Sequence, residues 1–184
     1  MATVGHEVTA VLLISGSTRS ASTNTAALRT VAAIAPEGVE TFWYEGLGEL
    51  PAFSPDDDGT GHPSVVALHE HISRADAVLL CTPEYAGTLP GSFKNLLDWT
   101  VGTADLYEKP TAFLNVAAQG RGEGAATTLT TVLGYVGAIV DPATCARLPV
   151  ARDAVDADGL VTTPEFRTGA LTALTRLVHQ TTPA

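Results

Sequence analysis

Basic residues are scarce in this 184-residue chain: 10 lysines and arginines stand against 20 aspartates and glutamates, for a formal net charge of -10. A surface of that sign repels nucleic-acid backbones and anionic membranes, so neither is an expected partner. Cysteine is scarcer. Cys81 and Cys145 are the only two, with no CxxC pair and no even framework, which points to a reducing, cytoplasmic setting. Long apolar runs are missing as well. The stretch Val8 to Ile14 is far too short to cross a bilayer, and Met1 to His6 lacks the basic lead-in of a secretory leader, so none is expected. A hydrophobic fraction of 45% with 16% charged residues describes an ordinary globular chain, and the length suits a single domain over residues 1–184.

What is present is a regular alternation of strand and helix signals. Val8 to Ile14 is a continuous apolar run, the mark of a strand covered on both faces. Helical composition follows over Asn24 to Ala35, closed by Pro36-Glu37-Gly38. Val39 to Tyr44 is β-rich, and a loop longer than most connections leads on to a helix over Ser64 to Arg74. Further strands are expected at Ala77 to Cys81, Thr111 to Ala117 and, briefly, Ala138 to Val140. Helices are expected at Pro90 to Trp99, Gly122 to Leu133 and Thr163 to Thr181, the last capped by Thr163 with Pro164 behind it. Five strands with helical crossovers imply an α/β fold, a mainly parallel sheet with helices on both faces. Ligands of such sheets sit beyond the carboxyl ends of the strands, where strand order reverses.

The loop after the first strand, Gly16 to Asn24, holds five hydroxyl side chains, Arg19 and the amide of Asn24, and it runs straight into a helix. A helix N-terminus offers free N–H groups and the positive end of the helix dipole, which together favour an anion. Hydroxyl and amide donors can surround a phosphate, and Arg19 can add a charge-assisted bond. The loop matches neither GxGxxG nor GxxxxGK[ST], so a terminal phosphomonoester suits it better than a pyrophosphate. The plainer alternative is a hydroxyl-rich turn with Ser22 or Thr23 as helix cap.

The stretch after the third strand, Thr82 to Trp99, is the most distinctive. Pro83 restricts the backbone, Tyr85 offers an aromatic edge or face, and Ala86-Gly87 lets backbone N–H groups approach a flat ring. Here too a rigid turn followed by an amphipathic helix is the plainer alternative. Phe93, Leu96, Leu97 and Trp99 can serve as core or as a partner face.

Together the two stretches resemble the NADPH-dependent FMN reductase family, whose members carry GSxRxxSxN after strand one and PEYxxxxPGxxKNxxDW after strand three. This chain has Gly16-Ser17, Arg19, Ser22 and Asn24 in the first stretch, and Pro83-Glu84-Tyr85, Pro90-Gly91, Lys94-Asn95 and Asp98-Trp99 in the second. The resemblance implies a flavodoxin-like three-layer sandwich with strand order 2-1-3-4-5 and non-covalently bound FMN. It implies hydride transfer from NADPH or NADH to the flavin, then to free flavin, a quinone or a similar small-molecule acceptor, and a homodimer or homotetramer. On this basis Ser17, Thr18, Arg19, Ser22 and Asn24 hold the phosphate, while Pro83, Glu84, Tyr85, Ala86 and Gly87 lie along the isoalloxazine. Ala118, Gln119 and Gly120 add contacts made mostly by backbone. No catalytic acid or base is assigned, because the cofactor carries the chemistry and the protein sets position and electrostatics. A non-enzymatic flavin-binding or electron-carrier protein is the competing reading. The chain departs from the family at Ala86, where many relatives have Asn, and in the loop after strand four, which keeps its glycines but lacks the usual serine.

Other chemistry-bearing residues carry less. His69-Glu70-His71 splays its imidazoles along a helix instead of converging them. Asp56-Asp57-Asp58-Gly59 lacks the alternating ligands of a calcium loop. Cys81 ends an apolar strand and reads as a small buried hydrophobe. Ser15 and Ser17 have no GxSxG frame. No metal site is expected.

Overall fold

A computed structural model describes residues 8–181; the opening Met1 to His6, read above for a leader, lies outside them. Five parallel strands, β1 (Thr9–Ser15), β2 (Val39–Tyr44), β3 (Ala77–Cys81), β4 (Thr111–Asn115) and β5 (Ala146–Arg147), form one sheet in the order β2-β1-β3-β4-β5. Helices α1 (Thr23–Ala33), α2 (Pro63–Arg74), α3 (Gly91–Trp99), α4 (Glu123–Tyr135) and α5 (Pro164–His179) cover it. This is the expected α/β architecture and strand order.

The sheet sorts its side chains by the two-residue alternation of a strand. Val11, Leu13, Ala77, Leu79 and Leu114 face α1 and α5, where they meet Leu28, Val31, Phe166, Leu174 and Leu177. Leu12, Ile14, Val78 and Leu80 face the other way, onto Leu68 and Ile72 of α2, Phe93 and Leu97 of α3 and Leu129 of α4. Both faces of β3 are buried throughout, so it reads as a pure apolar run.

Two expectations need correction, and one open alternative is decided. The fifth strand is not Ala138 to Val140. Ile139 makes only an isolated bridge to Pro110, then Asp141 turns the chain by accepting from the amides of Ala143 and Thr144. With Pro142 unable to donate to the ladder, pairing resumes only at Ala146–Arg147. Thr163 occupies the cap position of α5 but its side chain makes no capping bond. The apolar side of α3 is core, not a partner face: Phe93, Leu96, Leu97 and Trp99 are all buried.

The remaining conserved-looking letters of the second motif also have structural work. Asn95 accepts from the Phe53 amide at 2.8 Å and donates to the Pro51 carbonyl at 2.8 Å, and the Trp99 indole donates to the same carbonyl at 2.9 Å. They pin the long β2–α2 connection, which contains a 3-10 turn at Gly46–Glu49. Lys94 pairs with Asp98 one helical turn on, at 2.6 Å. His69 bonds Asp105 at 2.6 Å, and His71 packs against Phe42 and Tyr44. Among the described residues no group of three or more His, Cys, Asp or Glu side chains could hold a metal ion. No helix there is long and apolar enough to cross a membrane.

Candidate functional site

The carboxyl ends of β1, β3 and β4 lie side by side in the sheet, and the three candidate loops leave from them. The first two begin in contact. The Gly16 amide donates to the Cys81 carbonyl at 2.8 Å, and a Cβ at Gly16 would run into the Thr82 side chain, so only glycine fits where the two loops diverge.

In the loop after β1, Ser17 is half-buried while Thr18, Arg19, Ser20 and Ala21 are exposed. The Ser15 hydroxyl accepts from the Ser17 amide at 3.3 Å and bonds Thr25 of α1 at 2.8 Å, and the Ser17 hydroxyl accepts from the Arg19 amide at 3.3 Å. Ser22 is the helix cap: buried and extended, it accepts from the amides of Asn24 and Thr25 at 3.2 and 3.4 Å. Asn24 is buried too, and its Oδ1 accepts from the Cys81 thiol at 3.4 Å. That bond leaves the Nδ2 donors for a ligand. Burial pushes the Cys81 thiol well above its ordinary range, so it stays protonated and donates.

The amides of Thr18, Ser20 and Ala21 donate to no backbone carbonyl of the described residues, and Arg19 has no ion-pair partner among them. Unpaired amides, hydroxyls, a helix start and one free guanidinium form a donor set that fits a phosphomonoester.

After β3 the chain makes a two-residue hairpin. Tyr85 and Thr88 exchange backbone bonds at 3.0 and 3.1 Å, and between them Ala86 and Gly87 both take positive φ, 51° and 77°. This is the primed turn that favours Asn-Gly, with Ala86 at its first central position. The amides of Ala86 and Gly87, both exposed residues, have no backbone acceptor and lie beside Tyr85, which is 54% exposed. Pro83 is half-buried at its base.

Glu84 has a different occupation from its neighbours. Its Oε2 accepts from the amides of Gly124 and Ala125 at 2.8 and 3.2 Å, filling the N-terminal donors of α4, whose preceding residue Gly122 offers no side-chain cap. Gly124 completes the joint: any Cβ there would strike the Gly87 carbonyl. The hairpin after β3 and the start of α4 are therefore one interlocked unit.

The loop after β4 exposes Ala118, Gln119 and Gly120. Two residues outside the sequence-based assignment shape it. Asn115 accepts from the Ala117 amide at 3.1 Å and donates to the Gly122 carbonyl at 3.1 Å. Arg147, from β5, donates to the carbonyls of Ala118 and Arg121 at 3.0–3.1 Å and pairs with Glu123 at 2.6 Å. Nothing local in the sequence signals the Arg147 clamp, because it comes from a strand that pairs over only two residues. The carbonyls of Ala118 and Arg121 are thus occupied, and the amides of Ala118, Gln119 and Gly120, which have no backbone acceptor, remain for a ligand.

The NADPH-dependent FMN reductase family model matches residues 9–153. A quinone reductase of Escherichia coli K12 is 37% identical over 91 residues, 48% of either chain. An NAD(P)H-dependent FMN reductase of Pseudomonas aeruginosa is 36% identical over 111 residues, 59% of this chain and 60% of the other. The chain thus aligns with about half the length of the first of these curated relatives. Among solved structures, the flavoenzyme NAD(P)H:(acceptor) oxidoreductase FerB of Paracoccus denitrificans superposes with a TM-score of 0.76 at 27% identity, covering 95% of this chain and 97% of that one.

Proposed function

The chain belongs to the NADPH-dependent FMN reductase family, and on that premise we propose that it is an FMN-containing, NAD(P)H-dependent oxidoreductase that passes electrons to a quinone, free flavin or similar small planar acceptor. The observation that carries the proposal is one of position. A phosphate-type donor set on the loop after β1 stands beside two exposed loops whose amides have no backbone acceptor, Ala86-Gly87 and Ala118 to Gly120, on neighbouring strand ends.

In this reading Ser17, Thr18, Arg19, Ser22 and Asn24 grip the phosphate. The backbone of Pro83 to Gly87 and of Ala118 to Gly120 seats the ring, with Tyr85 at its edge. Bound FMN supplies the hydride-accepting and hydride-donating centre. The chain orients and stabilises: these free amides would stabilise negative charge on the ring when it is reduced, and the Glu84–α4 joint keeps the two platforms in register. No side chain is required as acid or base.

Val101, Tyr107, Tyr135 and Ile139 are exposed apolar or aromatic residues around the ends of α3 and α4. They suit a second copy of the chain, so the proposed working form is a homodimer or homotetramer in the cytoplasm.

The test is spectroscopic. Purified protein, or protein reconstituted with FMN, is expected to show flavin absorption that bleaches under anaerobic NADPH or NADH and returns on adding a benzoquinone. Flavin that stays oxidised with both nucleotides contradicts the reductase and leaves an electron carrier; protein that takes up no FMN contradicts both.

A further inference from the structure

Ten basic side chains serve a chain with 20 carboxylates, and three of them, Arg19, Arg29 and Arg152, line a single cavity of about 290 Å³. No Asp or Glu lines it, and none of the three arginines forms an ion pair among the described residues. The adjoining cavity, of about 420 Å³, shares Arg19 and Arg29 but is faced by Glu45 and Glu49. Basic residues without carboxylates line the first cavity, whereas the second mixes both signs.

The walls of the arginine cavity are fixed. Arg29 lies over Gly159: a Cβ there would sit 3.1 Å from its guanidinium. Gly159, at φ 77°, belongs to a small hairpin in which Asp156 and Leu160 are hydrogen bonded and Val155 bridges Val161. The Asp156 carboxylate of that hairpin is committed to the amides of Asp158 and Leu160. The hairpin is held to α1 by a buried bond, the Val161 amide donating to the Thr30 hydroxyl at 2.7 Å. Arg152 stands in the 3-10 turn (Arg152–Ala154) that leads into it. Most of this wall follows residue 153, where the match to the family model ends.

We propose that this cavity is a second phosphomonoester site, adjoining the flavin-phosphate loop and filled by the 2′-phosphate of NADPH, with Arg29 and Arg152 as residues that select NADPH over NADH. The inference rests on the reductase reading, which supplies a co-substrate bearing that group. Guanidinium forks match phosphate geometry better than any other side chain. The cavity lies at the lower edge of the roughly 300–1,000 Å³ of ordinary small-molecule sites, so it admits a phosphate and part of its ribose, not a whole dinucleotide. It shares Arg19 to Thr23 with the flavin loop, which puts a second anion close to the first and accounts for three cations where one phosphate needs fewer.

The test uses the FMN-loaded protein, its Arg29→Ala and Arg152→Ala variants, and 2′,5′-ADP and 5′-AMP as probes in titration calorimetry. Wild-type protein is expected to bind 2′,5′-ADP at least about tenfold more tightly than 5′-AMP, and each variant to lose about tenfold for 2′,5′-ADP alone. The KM for NADPH should rise with it, while the KM for NADH and the Kd for FMN move less than about twofold. Equal binding of the two probes to wild type overturns the proposal. So does a loss of FMN affinity in the variants, which would make the cavity part of the flavin-phosphate grip. Should the reductase reading itself fail, wild type takes up no FMN, and the probe titration on the protein as purified still decides whether the arginines hold a phosphomonoester.

Discussion

The loop after β1 and the loops after β3 and β4 are built on opposite plans. In the first, the shaping hydrogen bonds from Ser15, Ser17 and Ser22 reach no more than 10 residues along the chain, and the long-range ties, from Gly16 and Asn24 to Cys81, sit at its two ends. In the others, Glu84 reaches α4 across 40 and 41 residues, and Arg147 reaches back 24 to 29 residues to its loop. A phosphate is a compact, strongly charged group that a short run of donors can enclose unaided. A flat ring needs donors along an edge that no single loop spans, so in the proposed site its platform is assembled from distant segments. Damage should accordingly stay local in the first region and spread in the second.

Gly124→Ala is the severest test of that contrast. Its Cβ would collide with the Gly87 backbone, so the hairpin and α4 must separate. The expected cost is about 2–3 kcal/mol, a fall in Tm of roughly 5–10 °C, together with loss of FMN affinity. Glu84→Ala should come next, at about 2 kcal/mol, because it strips the acceptor from two helix-start amides. Hydrogen exchange should show both the Tyr85–Thr88 turn and the start of α4 loosening. If exchange rises in only one of them, the interlock is not cooperative. Ser22→Ala should cost about 1 kcal/mol, with faster exchange confined to the first turn of α1 and none in the platforms. Smallest is Ala86→Gly. Relieving a left-handed alanine should stabilise the protein by a few tenths to about 1 kcal/mol in chemical denaturation; a destabilised variant would mean the turn depends on the Cβ.

The same contrast explains what the sequence discloses. Hydroxyls, an arginine and a helix start within nine residues advertise the anion loop, and apolar runs with turn residues between them reveal β1, β3 and the order of elements. The role of Glu84 is hidden, because PEY reads as one local motif although its carboxylate belongs to α4. Arg147 is hidden for a stronger reason: β5 pairs over two residues only, and the more strand-like Ala138 to Val140 draws the assignment away from it. The hairpin carrying Gly159 has no periodicity at all, so the basic cavity emerges only when Thr30 brings that segment onto α1.

The central claim is a two-part flavin site, an anion loop and a separate ring platform, and the affinity difference between FMN and riboflavin tests it most directly. Titrating the apoprotein with each by flavin fluorescence should give FMN the tighter binding by on the order of 100-fold, since only FMN carries the phosphate that Ser17 to Asn24 would hold. Equal affinities would contradict the account.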